Sequence, residues 1–132
     1  MKAMIWHNNR CGTSRNTLAL LRHAGIEPDV REYLKDVPGQ DELADMIGEA
    51  GISVREAIRT KEAVYAELGL DDPSLDDCAL LAAMVANPIL INRPFVRTDL
   101  GARLCRPSER VLEILPPLAA PFTKEDGSVI GG

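Results

Sequence analysis

Apolar positions along the chain follow two periodicities, and the switches between them mark the elements. Met4, Ile5 and Trp6 form the compact run of a short strand over Ala3 to His7, and the polar, glycine-containing stretch Asn8 to Gly12 turns the chain. From Thr13 to Ala24 the spacing becomes helical: Leu18 with Leu21 and Leu20 with Ala24 form adjacent stripes. Thr13 or Ser14 is the expected N-cap and Gly25 the expected residue past the C-cap. Pro28 then introduces a second strand through Val30 to Leu34.

The stretch from Pro38 to Pro88 reads as helical throughout. Leu43, Met46, Ile47 and Ala50 fall at i, i+3, i+4 and i+7, with Gly51 as the stop; shorter helical pieces follow at Val54 to Ile58 and Glu62 to Leu68. Ser74 with Asp77 resembles a capping box opening a helix whose apolar face is Cys78, Leu81, Ala82 and Val85, and Asn87-Pro88 ends it. Phe95 to Thr98 and Ala102 to Cys105 read as strands joined by Asp99-Leu100-Gly101. Pro107 opens a last helix carrying Val111, Leu112 and Leu115, and the Pro- and Gly-rich tail has weak order signals.

The resulting order is βαβ, a helical insertion over about residues 38–88, then ββα. It predicts an α/β fold, a thioredoxin-like mixed four-stranded sheet with a helical insertion between its βαβ and ββα halves. At 132 residues the chain suits one domain spanning 1–132. No apolar run reaches the ~20 residues needed to span a bilayer, and the N-terminus lacks the apolar core of a secretory signal. The expectations are a cytoplasmic monomer with no membrane association. A net charge of −5 and 4% aromatic residues argue against nucleic-acid binding.

Eleven of the fifteen cationic residues are arginine, a choice that suits planar recognition of oxyanions. The three cysteines, Cys11, Cys78 and Cys105, have no metal-type spacing, so no metal is expected. Cys78 lies on the apolar helical stripe and is expected in the core. Cys11 is different: it stands between the first strand and the first helix, where orphan amides and the positive end of the helix dipole converge. That placement lowers a thiol pKa and makes the thiolate a nucleophile. Arg10 and Arg15 flank it, and His7 precedes it by four residues. Gly12 and the amides that follow suit an anion beside the sulfur.

Two chemistries fail on spacing. A cysteine-dependent phosphatase needs Arg six residues after the nucleophile, and Thr17 stands there. An internal dithiol needs a second cysteine at position 14, and Ser14 stands there, so the thiolate needs an external thiol to turn over.

The loop His7-Asn8-Asn9-Arg10-Cys11-Gly12-Thr13-Ser14-Arg15-Asn16-Thr17 closely resembles the active-site loop of the glutaredoxin-linked arsenate reductases, the ArsC family. The resemblance continues through Gly51 to Arg55, Pro88 to Pro94, Arg103 to Glu109 and Phe122 to Gly127, five strings in order covering nearly the whole chain. Asn9-Arg10 departs from it, where the family usually has Pro followed by a small residue, and a basic tail seen in some relatives is not present after Gly127. The resemblance implies Cys11 as the nucleophile on arsenic(V), His7 as a group that helps hold it as thiolate, and Ser14 as a hydrogen-bond partner of the sulfur or the oxyanion. It implies Arg59, Arg93 and Arg106 around arsenate, with Gly12 and Thr13 at the anion site, and Pro94 as a cis-proline candidate. It also implies arsenate, glutathione and glutaredoxin as partners, glutathione as co-substrate, and no bound cofactor.

Two other readings stay open at this point: a glutathione-dependent thiol reductase of the same family with another substrate, and a non-enzymatic RNA polymerase-binding regulator on the same fold. Relatives of the second kind typically carry a Cys-x-x-Cys pair, which Ser14 removes here. Cys105, beside Arg106 at a strand end, is not assigned a redox role. His23 reads as a partner of its own helix C-terminus.

Overall fold

The computed structural model describes residues 1–131. Its centre is a mixed four-stranded sheet. β1 (Ala3–Trp6) pairs in parallel with β2 (Asp29–Arg31) and antiparallel with β3 (Phe95–Thr98), which pairs antiparallel with β4 (Gly101–Leu104), giving the order β2-β1-β3-β4. This is the thioredoxin-like arrangement expected from the element order.

The parallel pair requires a crossover, and α1 (Gly12–His23) supplies it. It ends as expected: Gly25, at φ +83°, lets its own N–H reach Arg22 O and that of Ile26 reach Leu21 O. Its start differs from expectation. Cys11 is the N-cap, in extended conformation, and its carbonyl accepts the first intrahelical bond from Arg15 N at 2.9 Å. Neither Thr13 nor Ser14 caps, because both already lie within the helix and the Ser14 hydroxyl is engaged elsewhere.

β2 is shorter than expected. The chain leaves it at Glu32, whose carbonyl accepts from Lys35 N and Asp36 N in a turn. The insertion contains α2 (Gln40–Glu49), α3 (Val54–Ala57), α4 (Ala63–Glu67) and α5 (Asp77–Ala86). Asp76, not Ser74, caps α5 by accepting from Ala79 N at 2.8 Å; Ser74 is tied into a local turn with Asp72. The buried face of α5 is Leu80, Leu81 and Met84, so the expectation that Cys78 is core fails and its thiol is exposed. The last helix is a 3-10 segment over Ser108–Ile114, with Pro107 outside it. The tail, expected to be weakly ordered, forms a hairpin of β5 (Phe122–Thr123) and β6 (Val129–Ile130).

Each face of the sheet carries its own core. Trp6, Tyr33 and Phe95 pack with Leu43, Met46, Leu80, Met84, Leu90 and Ile91 beneath the insertion. Ile5, Val96 and Cys105 pack with Leu20, Leu21, Val111 and Ile114 beneath α1. Strand alternation sends Trp6 and Ile5 to opposite sides. Each fully buried large side chain of this kind stabilises the fold by about 1.5–3 kcal/mol. The insertion is also stitched to the strand leading into β3: Ile58 bridges Ile91, Arg59 N donates to Leu90 O at 2.7 Å, and Asn92 N to Ala57 O at 2.8 Å.

Candidate active site

Two neighbouring turns of backbone create the site. The carboxyl ends of β1 and β2 bring His7 and the loop after it beside the start of α1, and His7 N donates to Arg31 O at 2.8 Å. Cys11 sits at the helix mouth, half-buried, with its N–H on Asn8 O at 3.0 Å. Opposite it, the Arg93-Pro94 and Arg106-Pro107 peptide bonds are both cis. Cys105 N donates to Pro94 O at 2.9 Å, holding the two arginine-bearing turns side by side.

One side-chain donor, Arg106 Nη1, lies within hydrogen-bond distance of the sulfur, and further groups bear on its ionisation. Burial is the largest single influence on its pKa and raises it, but the Ser14 N–H, the Arg93 guanidinium by hydrogen bond and by charge, and the Arg106 guanidinium together lower it below the ordinary thiol value. Arg106 Nη1 stands 3.7 Å from Sγ and also donates to Arg93 O at 3.1 Å. The influences that lower the thiol pKa thus come from one helix-terminal amide and from two guanidinium groups 82 and 95 residues away in sequence.

His7 takes a different place from the one expected. Its Nδ1 lies 2.6 Å from Ser14 Oγ, and it makes no hydrogen bond to the sulfur. Desolvation leads the influences that lower its pKa, so at neutral pH it is an uncharged imidazole, not a counter-ion for Cys11. Ser14 Oγ also accepts from Asn8 N at 3.1 Å. The hydroxyl of Ser14 therefore braces the loop, while its backbone amide serves the sulfur. Thr17 is turned onto Thr13 O at 2.8 Å, away from any anion.

Arg59 lies just past α3, not on a helical face, and its Nε pairs with Glu62 at 3.1 Å. It lines a cleft of about 210 Å³ with Ile58, Thr60, Lys61, Asn92 and Arg106. Sequence reasoning assigned no site role to Lys61, Asn92 or Glu62, although Asn92 stands within the Pro88 to Pro94 string. Arg15 is engaged by the tail: Nε and Nη2 bind both carboxylate oxygens of Glu125 at 3.0 Å, and Nη1 donates to Asn9 O. Nothing local announces that pairing, since the two residues are 110 positions apart. His23 stands in the last turn of α1, as expected, and its Nε2 also meets Ala120 O at 2.9 Å.

Four buried polar atoms have no hydrogen-bond partner among the described residues: Trp6 Nε1, Tyr33 Oη, and Arg93 Nε and Nη1. All four groups are donors. No group of His, Cys, Asp and Glu among the described residues is arranged to hold a metal ion, and no described helix is long and apolar enough to cross a membrane.

Comparison with known proteins gives a consistent result. The ArsC family pattern matches residues 6–114. A protein named arsenate reductase from Rhizobium meliloti is 60% identical over 131 residues, 98% of this chain and 94% of that protein. One of the same name from Escherichia coli is 53% identical over 127 residues, covering 96% and 90%. Among solved structures, an arsenate reductase from Vibrio cholerae superposes with a TM-score of 0.84 at 47% identity, covering 87% of this chain and 98% of that one.

Proposed function

This chain belongs to the ArsC family, and from that premise we propose that it reduces arsenate to arsenite, with glutathione and glutaredoxin supplying the electrons. The observation that carries the reading is the convergence of Ser14 N–H, Arg93 and Arg106 on the Cys11 sulfur beside an Arg59-lined cleft.

A tetrahedral oxyanion entering that cleft brings negative charge toward a thiolate. Two unit charges 4 Å apart repel by about 4 kcal/mol at an effective dielectric of 20, so the reaction needs cations placed beforehand. Arg93 and Arg106 both act on the sulfur, and Arg59 lines the same cleft as Arg106. The Gly12 and Thr13 amides, in the first turn of α1, lack intrahelical partners and supply further donors.

The thiolate attacks arsenic(V); a sulfur–arsenic bond forms and an arsenic–oxygen bond breaks, the oxygen leaving as water or hydroxide. Glutathione attacks the adduct, and glutaredoxin resolves the intermediate. Two thiols lose two electrons and end as a mixed disulfide, arsenic falls from +V to +III, and Cys11 returns as thiolate. In this reading the protein is a cytoplasmic monomer that uses glutathione as co-substrate and needs no bound cofactor. His7 and Ser14 keep the loop in register; neither transfers a proton to the sulfur.

A coupled assay tests the proposal: arsenate, glutathione, glutaredoxin, glutathione reductase and NADPH, with NADPH oxidation followed at 340 nm. Oxidation that requires arsenate, glutathione and Cys11 supports it. Thiol-dependent turnover without arsenate moves the activity to another substrate, and no turnover with any thiol removes the enzymatic reading.

A further inference from the structure

The ladder that builds the sheet stops short of the sulfur and of the arginine that meets it. Its last cross-strand pairs at this edge are Trp6 with Phe95 and Phe95 with Leu104. Cys11 stands five residues beyond Trp6 and Arg106 two beyond Leu104, so strand pairing alone does not set the gap between them. They meet through the approach of Arg106 Nη1 to Sγ at 3.7 Å.

The tail hairpin reaches both sides of that gap. Phe122 and Ile130 pack against the core beneath α1, which seats the hairpin on that helix. Its tip is stiffened within itself: Lys124 N donates to Ser128 O at 2.8 Å, Gly127 N to Lys124 O at 2.9 Å, and Ser128 Oγ to Asp126 Oδ1 at 2.6 Å. Gly127, at φ +88°, supplies the left-handed turn that a residue with a Cβ would strain to make.

Two consecutive residues at the tip then bind opposite halves of the site. Lys124 Nζ donates to Glu109 Oε1 at 2.6 Å, and with side chains 15% and 35% exposed this pair is screened less than an open surface one. Glu109 lies three residues after Arg106, at the start of the 3-10 segment. Glu125 binds Arg15 with both carboxylate oxygens at 3.0 Å, and Arg15 Nη1 donates to Asn9 O, two residues before Cys11. Glu125 N also donates to Asn16 Oδ1 at 3.0 Å, which ties the tail to the start of α1.

We propose that Lys124 and Glu125 are positioning residues, a two-sided clamp that sets the distance between the Cys11 sulfur and the Arg106 guanidinium. This inference rests on the reading of Cys11 as the nucleophile given above. Each residue acts through one charged partner, Arg15 on the nucleophile side and Glu109 on the arginine side. An exposed ion pair by itself does little for stability. Its geometry counts here because a misplacement of about 1 Å can cost roughly 100-fold in rate, and the attraction between guanidinium and thiolate falls with distance.

Glu125→Ala and Glu109→Ala test the clamp, since a purely electrostatic role predicts the opposite sign. Each removes a negative charge from the neighbourhood of the thiol, which by charge alone lowers the Cys11 pKa. Loss of the clamp lets Arg106 and the sulfur drift apart and raises it. Thiolate absorbance at 240 nm against pH is expected to show a rise of about 0.3–0.5 in both variants. In the coupled assay kcat/KM for arsenate is expected to fall roughly three- to tenfold, with the melting temperature nearly unchanged. A thiol pKa that stays in place or falls in either folded variant overturns the inference, and one variant suffices where the other does not fold. The absorbance measurement needs no turnover: shifts of the expected sign in a protein that never reduces arsenate sink the reductase reading alone.

Discussion

Cys11 and Cys105 carry the same side chain and both follow strands that end at the same edge of the sheet, yet their surroundings drive them in opposite directions. Cys11 is at a helix mouth with a free amide and two guanidinium groups, and its pKa is lowered although burial opposes this. Cys105 is fully buried among Ile5, Val96, Val111 and Ile114, and burial, the dominant cause, pushes it up to about 12. Arg106 follows Cys105 directly in sequence, yet it donates to the Cys11 sulfur. Adjacent residues at the end of β4 serve opposite faces of the sheet. Proximity in sequence to a cation therefore says little about a thiol; exposure to oriented donors decides its chemistry.

The comparison breaks most sharply at the nucleophile. Cys11→Ser is expected to abolish arsenate-dependent NADPH oxidation, whereas Cys105→Ala retains it; loss of activity in both, with both folded, removes the distinction. Next in size, Arg93→Gln is expected to raise the Cys11 pKa and lower kcat/KM by roughly 100-fold. Arg106→Gln does the same to a smaller degree, since Arg93 acts on the sulfur by both hydrogen bond and charge ahead of Arg106. Thiolate absorbance at 240 nm against pH reads both shifts.

The third effect is on stability. Folded Cys105 ionises near 12, above the value of about 8.5 for a thiol in an unfolded chain, so its contribution is fully present below the unfolded value. Between those values the unfolded chain releases its proton and the folded one does not, and stability falls as pH rises, with a slope approaching about 1.4 kcal/mol per pH unit. Urea titrations at pH 8 and pH 10.5 are expected to show a steeper loss in wild type than in Cys105→Ala. The lowered Cys11 pKa has the opposite sign: its contribution is present above the unfolded value and is lost as pH falls through the folded one. The smallest effect belongs to Glu125→Gln, which frees Arg15. Both partners of that pair are well exposed, so the stability change is expected to stay below about 1 kcal/mol in thermal melts.

Much of this was legible along the chain. The strand, loop and helix around Cys11 depend on neighbours within a few residues, and so did α2 with its Leu43, Met46 and Ile47 face and the β3–β4 hairpin. The misreadings fall where two local solutions compete. Ser74 and Asp76 both suit a cap, and the structure uses Asp76; Cys78 and Leu80 both sit on apolar spacing, and the insertion core takes Leu80. The tail offered no periodicity, and its hairpin is held by packing of Phe122 and Ile130 on the α1 face and by Glu125.

What the amino-acid order determined unaided is that a cysteine stands at the start of a helix, between polar residues and without a second thiol two positions beyond Gly12. That follows from backbone chemistry, which acts over one turn. Only the folded sheet decided that Arg59 and Arg106 line one cleft, that Arg106 reaches the Cys11 sulfur, and that His7 bonds Ser14. Those outcomes depend on which strands cross and which face a side chain leaves from, and pair interactions across 80 or more residues leave no periodic trace for a sequence to display.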